Sequence, residues 1–141
     1  MTEPIDLRSD TVTLPSPEMR RAMYEAEMGD DYYRNDPTVR ALEDKAADRL
    51  GKESALLVLS GTMGNLVAVL ALTRPGQSIV CGETSHIYVN ETGGLAAVAG
   101  LTVRPVKTRG AVIGPAEVEA AAWPNAVLHP PTTLVCTENT N

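Results

Sequence analysis

Two short stretches of this chain carry residue types that could do chemistry. The first is Ser60-Gly61-Thr62-Met63-Gly64-Asn65, set between the apolar runs Ala55–Leu59 and Leu66–Leu72. Read as a strand-to-helix turn, it leaves the first N–H groups of the following helix without intrahelical partners. Gly61 lets an anion approach the backbone closely, Ser60 or Thr62 adds a hydroxyl donor, and the positive end of the helix dipole favours negative charge. The stretch is therefore a phosphate cup or, alternatively, an ordinary hydroxyl N-cap with no ligand. It has no lysine after glycine, as a Walker A loop needs, and no GxGxxG, so ATP and dinucleotide readings lose support. The second stretch is Gly82-Glu83-Thr84-Ser85-His86, just past an apolar strand that ends at Cys81. Ligands of open α/β folds bind beyond the carboxyl ends of strands, so His86 and the cup could face one crevice. An imidazole there could stack on a planar ligand or move a proton near neutral pH, or be a loop histidine with no such task. Glu91, five residues on, either shares the crevice or solvates a helix. His129 reads as structural, and Cys81 and Cys136 read as buried free thiols with no metal or disulfide role.

The elements that must position these residues alternate along the chain. Pro17 to Glu27 places Met19, Ala22, Met23 and Ala26 on one helical face, with Ser16 as its cap and Gly29 as its stop. A second helix runs from Pro37 to Leu50, with Asp36 as N-cap, Gly51 as stop, and Val39, Leu42, Ala46 and Leu50 inward. After Gly51 the pattern changes. Ala55–Leu59 reads as a buried strand and Met63–Thr73 as a helix carrying Leu66, Val69, Leu70 and Thr73 inward. Short strands follow at Ser78–Cys81, Leu101–Val106 and Thr133–Cys136. They alternate with a partly helical stretch from Ile87 to Ala99 and a helix near Pro115–Ala122. Strand–helix–strand alternation of this kind predicts an α/β fold with a largely parallel sheet. The expected division is an N-terminal arm with two helices over residues 1–50, then an α/β layer over 51–141.

Composition narrows the function classes. With 141 residues, 43% apolar and 21% charged, the chain suits one ordinary globular domain. Its formal charge of −6 and scattered Lys and Arg argue against a nucleic-acid surface. The N-terminus has no apolar signal-like core, and the run Leu66–Leu72 is far too short to span a bilayer. A reduced, cytoplasmic protein without a membrane partner is the expectation.

Six blocks give these residues a family. They are DLRSDTVTLPSPEMRRAM, GDDYYRNDPTVRALED, LSGTMGNLVAVLALTRPG, CGETSHIY, ETGGLAA and LVCTENT. In this order they resemble the low-specificity L-threonine aldolases, members of the β-eliminating lyase group of fold-type-I pyridoxal-phosphate (PLP) enzymes. The resemblance implies a fold made of part of the large PLP-binding α/β domain, with a mostly parallel sheet flanked by helices. It implies cleavage of L-threonine and related β-hydroxy amino acids to glycine and an aldehyde, by a homo-oligomer, dimer or tetramer. Position by position, Gly61 and Thr62 match phosphate-binding residues, and His86 matches the histidine that stacks on the cofactor ring. Ser9 matches a serine that helps hold the substrate carboxylate. Tyr33 matches a tyrosine that reaches toward a neighbouring subunit's site. Glu91 matches an acidic residue that, with His86, is a candidate for proton transfer.

The sequence also departs from the family pattern. Arg34 and Asn35 replace the usual Gly-Glu after the tyrosine, Asn90 stands where a tyrosine is common, and Leu128 stands where a histidine is often found, with His129 one position off. Asn141 stands where His or Thr is common. Family members are more than twice as long, and the Schiff-base lysine, the aspartate that pairs with the ring nitrogen and the carboxylate-clamping arginines belong to their remaining part. None of Lys45, Lys52 and Lys107 lies in the family's lysine context. The 141 residues are thus expected to be an N-terminal portion that is inactive alone, with a dead remnant, a related β-eliminating amino-acid lyase or a phosphate-binding regulatory subunit as alternatives.

Overall fold

The computed structural model describes residues 5–110, 112–124 and 127–139. The chain divides into two compact units, residues 1–57 and 58–141.

The first unit is helical. Helix α1 (Pro17–Glu25) starts at Ser16, whose Oγ accepts the Met19 N–H at 3.2 Å, with proline in the first turn. It ends two residues before the expected Glu27, because Ala26 is already extended and no stop residue is needed. The face expected to pack is exposed at Met19 and Met23. Helix α2 (Pro37–Leu50) has the predicted bounds. The Asp36 carboxylate accepts the N–H groups of Thr38 and Val39, both at 2.9 Å, and Gly51 closes the helix at φ +60°, where a side chain would be strained. Its inward line differs from the expected one. Ala47 is buried and Val39, Glu43 and Ala46 are half-buried, whereas Leu42 and Leu50 are exposed.

The strand expected at Ala55–Leu59 does not form. Among the described residues this segment pairs with no other strand, and Leu56 and Leu59 lie open to solvent, Leu59 at 95% exposure. An apolar β-prone sequence becomes a strand only when a neighbour accepts and donates its ladder bonds.

The second unit is α/β. Helix α3 (Gly61–Leu72) begins two residues earlier than expected, because Ser60 itself is the N-cap and its Oγ accepts the Met63 N–H at 3.1 Å. Then come β1 (Ser78–Gly82), α4 (His86–Val89), α5 (Gly94–Ala97), β2 (Thr102–Val106), α6 (Pro115–Ala121) and β3 (Thr132–Val135). The three strands form one parallel sheet in the order β2-β1-β3. The central strand β1 is buried at all five positions, as an apolar parallel strand covered on both faces should be. In register, Val103, Ile79 and Leu134 form a row across the sheet. The row packs with Leu66 and Val69 of α3, Leu95 of α5, and Ala99 and Leu101. Leu70, expected inward on α3, is instead largely exposed. The fold class expected from the sequence, a parallel sheet flanked by helices, is the one observed.

Candidate active site

The site is built on the carboxyl ends of the strands. Strand β1 ends at Gly82, and the chain turns at once into α4, with the Ser85 N–H donating to the Gly82 carbonyl at 3.1 Å. A Cβ at Gly82 would lie 2.8 Å from Thr108 Cγ2 and 2.9 Å from Ser85 Oγ, so any side chain there would force these two to move. This tight turn sets His86 as the first residue of α4. Three residues past the end of β3, Glu138 meets it, its Oε2 accepting the His86 N–H at 2.6 Å. The loops after two neighbouring parallel strands therefore converge on one histidine, where an open α/β fold places its ligands.

The His86 ring is half-exposed and is held from one side. Its Nδ1 lies 2.9 Å from Glu91 Oε1, and the Glu91 side chain is only 5% exposed. Asn65, on α3, donates from Nδ2 to the same oxygen at 2.7 Å. Facing an ionised carboxylate, which only accepts, this His86 nitrogen is the donor. Directly after Glu91 the backbone turns through two left-handed residues, Thr92 at φ +51° and Gly93 at φ +73°. A β-branched residue avoids that conformation, so the turn is held by its surroundings.

Ser60, Gly61 and Thr62 sit one turn away, at the start of α3. Ser60 Oγ serves Met63, and among the described residues the N–H groups of Gly61 and Thr62 meet no acceptor. The space a side chain would occupy at Gly61 is open. Asn65 lies three residues beyond Thr62, roughly 4.5 Å along the helix axis. Helix α3 thus joins the amide donors of its first turn to the carboxylate–imidazole pair.

Residues 6–141 match the family model described as beta-eliminating lyase. The chain belongs to this family. It is 44% identical over 140 residues to the probable low-specificity L-threonine aldolase 2 of Arabidopsis thaliana, covering 96% of this chain and 39% of that one. It is 42% identical over 141 residues to the low-specificity L-threonine aldolase 1 of the same plant, with 97% and 39% covered. The low specificity L-threonine aldolase of Escherichia coli O157:H7 is 47% identical over 102 residues, with 72% and 31% covered. The chain therefore spans well under half the length of these relatives.

In this beta-eliminating lyase member, Gly61, Thr62, His86 and Glu91 all belong to the second unit, whereas Ser9 and Tyr33 belong to the first. Ser9 caps a 3₁₀ turn at Asp10–Val12, accepting the Thr11 N–H at 3.2 Å. Tyr33 is exposed and stands edge-on to Tyr32, ring centroids 4.8 Å apart. His129 stacks on Trp123 at 4.9 Å, and Arg104 also lies over that indole. Cys81 is buried and Cys136 half-buried, both as free thiols, and burial raises the Cys81 thiol to about 11. Two contacts of the Glu91–His86 pair escape a reading of the sequence, the one from Asn65 to Glu91 and the one from His86 to Glu138. They join residues 26 and 52 positions apart, and only a polar residue at the end of the SGTMGN turn and an acid after the last strand hint at them. No helix among the described residues is long and apolar enough to cross a membrane.

Proposed function

We propose that this chain forms the phosphate-holding and ring-stacking part of a PLP-dependent lyase that cleaves L-threonine and related β-hydroxy amino acids to glycine and an aldehyde. The observation that carries the reading is the linked array of Gly61 and Thr62 donors, Asn65, Glu91 and His86, on α3 and the segment that follows β1. The donor chemistry fits the cofactor. Two backbone amides and the Thr62 hydroxyl at the positive end of a twelve-residue helix suit a phosphate monoester. The half-exposed imidazole offers a flat face for a pyridine ring. When bound, the cofactor supplies the electron sink for breaking the Cα–Cβ bond.

The chain's own residues then divide the work. Gly61 and Thr62 bind the phosphate and fix its position. His86 stacks, and its Nε2 takes the proton of the β-hydroxyl, directly or through a water held with Glu91. Ser9 serves the substrate carboxylate, and the exposed Tyr33 reaches toward a neighbouring subunit, which makes the working enzyme a homo-oligomer. The lysine that the family resemblance implies for holding the cofactor is expected outside these 141 residues. Two free thiols favour a reducing compartment, the cytoplasm.

Titrating the ¹⁵N-labelled chain with pyridoxal phosphate tests this reading. The Gly61 and Thr62 amides and the His86 ring are expected to shift, unphosphorylated pyridoxal is expected to leave the two amides unmoved, and borohydride reduction is expected to add no mass. Silence at Gly61 and Thr62 at millimolar ligand, or a covalent adduct on one of the three lysines, would overturn it.

A further inference from the structure

The Glu91–His86 pair has a third member that lies on another element. Asn65 Nδ2 donates at 2.7 Å to Glu91 Oε1, the same oxygen that faces His86 Nδ1 at 2.9 Å. We propose that Asn65 is a positioning residue: it fixes the Glu91 carboxylate so that this oxygen locks His86 in the Nδ1–H tautomer and leaves Nε2 as the proton acceptor. The inference deepens the proposed lyase reading and rests on its assignment of His86 as the base.

Three features support this. The Glu91 side chain is almost wholly buried, and a buried carboxylate needs donors to stay ionised. Asn65 and His86 supply two of them, and both converge on Oε1. Second, an amide is suited to that place on α3. Its oxygen could not face the carboxylate, so the Nδ2 orientation is fixed by chemistry, and an amide adds no charge beside the base. Leucine would leave Glu91 with one donor fewer, and aspartate would set two carboxylates against each other. Third, the backbone around Glu91 carries the left-handed Thr92. Such a turn persists only where contacts over-determine it, and the Asn65 bond is one such contact. Because Asn65 lies one turn beyond Thr62 on the same helix, it also sets the distance between the cup and the base. The other charged group at His86, Glu138, accepts its backbone N–H.

The decisive measurement is the imidazole tautomer, read by long-range ¹H–¹⁵N correlation at pH 8 without any cofactor. The chain has two histidines, so His129→Gln assigns the spectrum. The wild type is expected to show one dominant form of His86, with Nδ1 protonated and Nε2 not. In Asn65→Leu, with the rest of the spectrum folded, the two nitrogens are expected to move toward the averaged positions of a free imidazole. Asn65→Ala should do the same if the leucine variant fails to fold. An unchanged tautomer in either folded variant would overturn the proposal, as would a wild-type His86 with no tautomer preference. Because no ligand is present, this result is independent of the pyridoxal phosphate titration. A locked tautomer with silent cup amides would sink the lyase reading and leave the positioning role standing.

Discussion

The two units hold their helices in different ways. Every helical element of the first unit begins with a side-chain cap: Ser9, Ser16, Asp30 and Asp36 each accept a backbone N–H of the turn they open. Among the described residues of the second unit only α3 is capped by its own N-cap side chain; α5 and α6 start without one, and the first N–H of α4 goes to the distant Glu138. Burial runs the other way. Of the nine buried apolar side chains among the described residues, eight lie in the second unit and only Ala47 in the first. Where packing against a sheet supplies the stabilisation, helix starts can go uncapped. Where apolar faces stay open, local hydrogen bonds are what define the helix, and they are individually small.

The largest test of this contrast is at Ile79, the fully buried centre of the row across the sheet. Ile79→Ala is expected to cost the second unit about 2–5 kcal/mol, since it removes transfer energy and leaves a cavity. Urea unfolding followed by the fluorescence of Trp123, the chain's one tryptophan, reads it. A loss below about 1 kcal/mol would mean the sheet does not dominate.

A smaller effect of opposite sign is expected in the first unit. Arg34 closes the Asp31–Tyr33 turn at φ +57°, a conformation suited to glycine. Arg34→Gly should therefore stabilise the turn, by up to about 1 kcal/mol after the entropy of the unfolded glycine is counted. Amide exchange at Tyr33 to Asn35 measures it, and faster exchange in the variant would contradict the strain argument.

The smallest effect is a pH dependence. The Val39 N–H, then those of Gly29 and Thr38, hold the Asp36 carboxyl below its ordinary range. A carboxyl lowered in the folded state contributes stability above its unfolded pKa and loses it as pH falls through the folded value. The Val39 amide shift should follow this titration, with a midpoint below that of an ordinary aspartate. In Asp36→Asn the titration should vanish.

What was legible in the sequence follows the same division. The bounds of α2 could be read because Asp36, Pro37 and Gly51 act on their own neighbours. The three observed strands were found within a residue because each is a short apolar run between turn residues. Ala55–Leu59 was misread because a strand is a relation between segments, and nothing in LLVL says whether a partner exists. Leu42 and Leu50 were misplaced for a related reason: a helical face is apolar by sequence but buried only by a neighbour. At the site, Gly61, Thr62, His86 and Glu91 could be singled out by residue type and by resemblance. The bonds from Asn65 and Glu138 could not, because they depend on how the chain returns to itself.

Strand β1 has a further implication, for synthesis. It is the most apolar strand of the sheet, and both of its edges stay bare until later strands exist. A ribosome adding roughly 5–20 residues per second makes the first neighbour, β2, about 1–5 s after β1, and the second, β3, about 3–11 s after it. During that interval the nascent chain displays a sticky, unpaired ribbon of the kind that chaperones and neighbouring nascent chains recognise. Slow codons between Gly82 and Thr132 would lengthen the exposure, so yield should respond to translation speed in that window more than in the stretch that encodes α1 and α2.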